Sequence, residues 1–129
     1  MKIKSTAAFA CMAAFGLMST TLASSADPGV TSDKLVFSQA APFEGPASGL
    51  GLEMRIGIRA AFEEANRAGG VKGRKLELKS IDDGYEPTKS IEATKKLLDE
   101  EKVFALIGPV GTPTSAATQP IALQQGAPF

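Results

Sequence analysis

Two places in this 129-residue sequence carry residue types that could do chemistry. One is the adjacent carboxylate pair Asp82 and Asp83. The other is residues 107–118, where Gly108 and Gly111 bracket Pro109 and Val110, and the hydroxyls of Thr112, Thr114, Ser115 and Thr118 follow. A carboxylate pair can act as general acid and base, or hold a metal ion. Adjacent side chains that follow a strand diverge, however, so a turn and helix-entry role is the better reading of Asp82 and Asp83. The glycine-spaced stretch invites comparison with a phosphate cradle. A P-loop needs a lysine after its second glycine, and no lysine lies between Gly108 and Phe129. The dinucleotide fingerprint fails too, because the first strand leads into AAPFEGPASGLG, which lacks its glycine spacing. What remains is a loop that leaves an apolar strand and opens a helix, the place where open α/β sheets bind ligands. Unpaired N–H groups at the helix start, with the Thr112 hydroxyl, would suit a carboxylate. On these residues alone the alternative stays open that Thr112 is only a helix cap and the glycines only a tight turn.

Composition narrows the chemistry. The sequence has no histidine and no tryptophan, and a single cysteine, Cys11. Without histidine, Ser-His-Asp and Cys-His nucleophile systems and most catalytic zinc sites are excluded from this chain. No enzyme activity, metal or cofactor is therefore expected. Basic and acidic side chains balance at 14 each, with neither a basic stripe nor an aromatic platform, so nucleic acid is not an expected partner.

The first 26 residues read as a secretory signal peptide. Lys2 and Lys4 precede an uncharged apolar stretch from residue 7 to 22, and the small residues Ala23, Ser24, Ser25 and Ala26 close it. Cys11 sits inside that stretch rather than at the cleavage site, so lipidation is not expected. The part from residue 27 to 129 then has no cysteine and carries 12 basic against 14 acidic residues. It is expected to be exported to the periplasm and, once cleaved, not inserted in the membrane.

Behind the candidate loops, apolar runs and helical patterns alternate. Residues 34–39 (KLVFSQ) and 103–108 (VFALIG) are apolar at their centres and read as buried strands, whereas 75–80 (KLELKS) alternates and reads as an edge strand. A first helix is expected with Met54, Ile58, Phe62 and Ala65 on its apolar face, ending at Gly69-Gly70. A second starts at Glu86-Pro87, with Ile91, Thr94 and Leu98 as its buried stripe. A third follows Thr112-Pro113, with Thr112 as N-cap, Pro120 kinking or breaking it, and Gly126 ending it. The order β-α-β-α-β-α predicts an α/β fold with a parallel sheet of local order 2-1-3 between helical layers. Residues 42–51 (PFEGPASGLG) read either as a loop folded over a pocket or as a plain connection. Tyr85 either edges a pocket or covers the sheet edge. Residues 127–129 look like the opening of a fourth strand, and with nothing else expected on the far side of the third, the sequence is expected to be truncated.

The segments GPASGLG, AFEEANRAGGVKGRKLEL, DDGYEPTKSIEATKKLL and VFALIGPVGTPTSAATQPIALQQGAPF, in that order, resemble the amino-terminal lobe of periplasmic substrate-binding proteins of the branched-chain amino acid type, which serve ABC importers. The resemblance spans residues 27–129, well under half of a usual family member. It implies a periplasmic binding protein type I fold, with two α/β lobes closing on a small-molecule ligand and delivering it to a membrane permease. The loop after the third strand would then hold an amino acid or other carboxylate through Thr112, with Val110 and Gly111 beside it. In leucine-type binders an aromatic residue from the first loop lines the pocket; Leu50 occupies the matching place here, which opens the site to other carboxylates. A receptor ectodomain or amide-responsive regulator with the same fold is the alternative. An exported enzyme acting through Asp82 or Asp83 is the third reading, disfavoured by the missing histidine.

Overall fold

The structure is a computed structural model and describes residues 27–129. The expected signal peptide and Cys11 lie outside the described residues. Element order is β1 (Lys34–Ala41), α1 (Ser48–Arg67), β2 (Lys75–Asp82), α2 (Pro87–Lys95), a π turn (Lys96–Glu100), β3 (Ala105–Leu106) and α3 (Thr112–Gln124). All strand pairs are parallel and the sheet order is β2-β1-β3, the expected 2-1-3.

Side-chain alternation along β1 assigns the two faces of the sheet. Phe37 meets Phe62 of α1 at 5.2 Å between ring centroids and Phe104 at 5.7 Å, so this face is an aromatic cluster under α1. Val36 and Ala40 point the other way, into a core with Ala93, Leu97, Leu98, Val103, Leu106 and Ala122 beneath α2 and α3. β1 is flanked on both sides and buried through its second half, while β2 keeps exposed Lys75 and Glu77 at its edge. Charged residues on an edge strand discourage pairing with another chain.

Several local expectations need correction. The first loop is shorter than expected, because α1 already begins at Ser48. Its start is fixed by contact: a Cβ on Gly51 would stand 1.9 Å from the Pro42 carbonyl oxygen, so only glycine lets the helix turn in this close. Met54 is exposed rather than buried, leaving Ile58 and Gly51 as the buried positions of α1. In the second helical region Ile91 is only half-buried; Ser90, Ala93, Thr94, Leu97 and Leu98 fill the interior. The π turn, whose hydrogen bonds span one residue more than those of an α-helix, carries the consecutive buried residues Leu97 and Leu98.

β3 has two residues in regular pairing rather than six, although the Phe104 and Ile107 amides also donate to the Val36 and Ser38 carbonyls. Its other edge is not bare: the Leu106 N–H donates to the Pro128 carbonyl at 2.9 Å, as the opening of a further strand would require. Pro120 does not break α3, which runs unbroken from Thr112 to Gln124. The position facing the missing N–H is Ala116, on the exposed side, and Thr118 Oγ1 bonds back to the carbonyls of Thr114 and Ser115. At Gly126 the helix ends as expected, with Ala127 N–H on Ala122 O and Gly126 N–H on Leu123 O, the paired bonds of a Schellman cap.

Candidate functional site

The three strands deliver their following loops to one end of the sheet, the carboxyl end, where a parallel sheet presents ligand-binding groups. Gln39, buried near the end of β1, ties the loop after β3 in place by donating from Nε2 to the Gly108 carbonyl at 2.9 Å. Gly108 in turn packs against Met54 and Ile58; a Cβ there would lie 2.7 Å from Ile58 Cδ1. The exposed Met54 therefore belongs to the border between α1 and this loop.

The two aspartates part company. Asp82 reaches toward the first loop, where its Oδ1 accepts the N–H groups of Phe43 at 2.5 Å and Glu44 at 3.1 Å. Arg55 of α1 lies over the Phe43 ring, 4.1 Å from its centroid, so the same loop is held from a second side. Asp83 turns inward and is fully buried. Its carboxylate accepts the Tyr85 N–H at 2.9 Å and the Ser90 hydroxyl at 2.7 Å. The expected turn and helix-entry role is what the geometry shows, and the enzyme reading loses its paired carboxylates. Among the described residues there is no cluster of three or more His, Cys, Asp or Glu able to hold a metal ion.

Tyr85 sits at φ 65°, a region unusual for a side chain of this size. Its buried-aspartate bond holds it there, and its ring lies against Gly111 on the next loop. Sequence reasoning left Tyr85 undecided between pocket edge and sheet-edge cover; the ring borders the start of α3.

The residues proposed for the ligand fall as follows. Gly111, at φ 100°, is the N-cap of α3, and Val110 precedes it, half-buried. Thr112 is the first helical residue and exposed, not the N-cap, and its hydroxyl caps nothing. The reason is Gly111: a positive φ opposite the Tyr85 ring suits only glycine, and this displaces the cap by one residue. The side chain that closes the turn is Thr114, whose hydroxyl is shared between the carbonyls of Val110 at 2.5 Å and Gly111 at 2.8 Å. That role was missed; the signal was a threonine three residues after a glycine at a helix start. Leu50 lies in the first turn of α1 rather than in a loop and is 55% exposed. It precedes Met54 by four residues, on the helical face that borders the Gly108 loop. Val110, Gly111 and Thr112 are contiguous, whereas Leu50 stands on a different element, α1.

At the start of α3 the N–H groups of Gly111, Thr112 and Thr114 precede the first intrahelical bond, which Ser115 N–H makes to Gly111 O at 2.9 Å. Pro113 has no N–H to offer. Three donors at the positive end of a 13-residue helix suit an anionic oxygen.

This arrangement, a parallel α/β sheet of order 2-1-3 with loops gathered at its carboxyl end, is that of a periplasmic binding protein type I lobe. Residues 39–129 match the periplasmic binding protein family, and the chain belongs to it. A leucine-, isoleucine-, valine-, threonine- and alanine-binding protein from Pseudomonas aeruginosa is 32% identical over 112 residues, covering 87% of this chain and 27% of that protein. Among solved structures, a possible leucine/isoleucine/valine-binding protein from Rhodopirellula baltica superposes with TM-score 0.72 at 42% identity, covering 75% of this chain and 26% of that one. A fatty acid ABC transporter substrate-binding protein from Thermomonospora curvata gives TM-score 0.74 at 27% identity, covering 79% of this chain and 26% of that one. These relatives are substrate-binding proteins, not enzymes. The chain thus spans about a quarter of the length of the relatives it matches.

Proposed function

We propose that this chain is part of the first lobe of an extracytoplasmic solute-binding component of an ABC importer. It captures a small amino acid or related carboxylate, with the ligand's carboxylate at the start of α3. The observation that carries this reading is the set of N–H groups on Gly111, Thr112 and Thr114 at the carboxyl end of the central strands, in a chain of this family. Thr112, exposed at the first helical position, adds a hydroxyl beside those donors. Leu50 supplies an apolar rim where the leucine-type proteins place an aromatic ring. The relatives' names include both amino acid and fatty acid binders, and these ligands share a carboxylate and an aliphatic chain. Further ligand contacts would come from the rest of the family's two-lobe fold.

Delivery to a membrane permease and residence in the periplasm form part of the same proposal, with residues 1–26 as the export signal and 27–129 as the lobe segment. Among the described residues, no helix is long and apolar enough to cross a membrane.

Amide NMR of the chain titrated with leucine, hexanoate and acetate tests the site. The expected result is a shift of the Gly111, Thr112 and Thr114 amides with all three, weakened in Thr112→Ala. Unmoved amides at tens of millimolar of every carboxylate would sink the carboxylate assignment.

A further inference from the structure

Seven polar residues are buried in the described chain, and six of them line one narrow slot: Ser38, Asp83, Ser90, Thr94, Thr114 and Thr118. The slot lies between the sheet and the α2–α3 layer, beneath the loops of the candidate site. Its other walls are apolar and include Ala40 and Leu106 of the two central strands. Most of the polar groups have partners. Ser90 and Asp83 bond each other, Thr114 closes its helix turn, and Thr118 bonds back along α3. Ser38 differs: it is fully buried, and its Oγ has no hydrogen-bond partner among the described residues. A buried hydroxyl without a partner bears its full desolvation cost, so a serine in a central strand needs something to satisfy it.

The slot has about 10 Å³ of space for a water centre. That is the scale of one water, which needs roughly 10–15 Å³ by this measure and two to four polar partners. An organic ligand does not fit. The volume and lining of the slot therefore fix both the size and the chemistry of the occupant. We infer that the slot is a hydration site for a single internal water molecule, hydrogen-bonded to Ser38 Oγ and shared with the polar groups of α2 and α3 across the slot.

The water joins β1 to the Asp83–Ser90 pair and the hydroxyls of α3. Asp83 holds the Tyr85 amide, so the water forms part of the floor that supports the Tyr85–Gly111 contact. This hydration site stands on the cavity and on Ser38, and it holds whatever ligand the loops above it take.

A crystal structure of the 129-residue chain tests the inference, at a resolution that orders internal waters. One peak is expected at about 2.6–3.2 Å from Ser38 Oγ, an ordinary hydrogen-bond distance. The same peak is expected to be absent in Ser38→Ala. Two results overturn the inference: a slot without density, or a peak ringed by oxygens at about 2.3–2.6 Å, which marks a cation. If Ser38→Ala does not fold, water-to-methyl cross-relaxation at Thr94 and Thr118 in the unmodified protein decides the matter. A long-lived water gives cross-peaks on those methyls, and their absence means the slot is dry.

Discussion

The Tyr85 ring lies flush against the backbone of Gly111, so that a Cβ built on Gly111 would stand 2.6 Å from Tyr85 Cε2. Gly111 also needs φ 100°, which no side-chain-bearing residue adopts easily. Gly111→Ala therefore meets both strain and a clash. It is expected to lower stability by about 1–3 kcal/mol in urea unfolding. Adding Tyr85→Ala should restore the part caused by the ring and leave the parts caused by φ and by Thr114 Oγ1, which would lie 2.8 Å from the same Cβ. Additive losses in the double variant would show that the two residues are not in contact.

Asp83 is expected to behave as a structural anchor rather than as an acid or base. Asp83→Ala removes the acceptor of the Tyr85 N–H and one of the two acceptors of the Ser90 hydroxyl, which keeps the Glu86 carbonyl at 3.0 Å. A loss of about 1–3 kcal/mol follows, since the Tyr85 N–H loses its charged partner. Ser90→Ala, which removes one of the two bonds, should cost less. Equal losses from the two variants would contradict this ordering.

Asp82 acts on the loop above it. In Asp82→Ala the amides of Phe43 and Glu44 lose their shared acceptor, so their hydrogen exchange should speed up. Because Asp82 is exposed, the midpoint of global unfolding should move little. Unchanged protection at both amides would show that the Arg55–Phe43 stack alone holds the loop.

Two glycines of α1 make opposite predictions from the same substitution. Gly51→Ala drives a methyl into the Pro42 carbonyl and should destabilise by about 1–3 kcal/mol. Gly57→Ala meets open space in the middle of the helix. It should stabilise by about 0.5–1 kcal/mol, because alanine loses less backbone freedom on folding. Thermal unfolding of the two variants beside the parent gives both signs in one experiment.

Acid should weaken the link between β2 and the end of the second helical region. The Lys79 ammonium, by hydrogen bond and then by charge, holds the Glu101 carboxyl below its ordinary range. A carboxylate whose folded pKa is depressed contributes stability above its unfolded value, about 4.3 for glutamate. That contribution is lost as pH falls through the lower folded value. Glu101→Gln should therefore lose less stability than the parent between neutral pH and pH values below that range. Because both side chains are exposed, the difference should be small and should shrink in salt. A parallel acid response in the two proteins would remove the pair from the account.

The number and order of the elements were legible in the sequence because they depend on periodicity and on local stop signals. Alternation in KLELKS marked the edge strand, continuous apolar runs marked β1 and β3, and Gly69-Gly70, Pro87 and Gly126 marked helix ends at which the backbone has few choices. Family-specific segments pointed to the same fold, since they keep those signals in register. The sequence also excluded histidine chemistry outright.

What only the tertiary structure decided were relations between loops far apart in the chain. Thr112 looked like the cap of α3 by its type, yet Gly111 took that position because the Tyr85 ring, from a different loop, occupies the space where a side chain would go. Asp83 read as a turn residue, but folding brings it against Ser90 in the interior, where its carboxylate accepts the Ser90 hydroxyl. Ser38, in a strand whose pattern says only that it is buried, acquires its meaning from a slot built by two helices that follow it. Periodicity determines which face of an element is apolar. Which polar group finds a partner depends on three-dimensional proximity, and a linear pattern does not contain it.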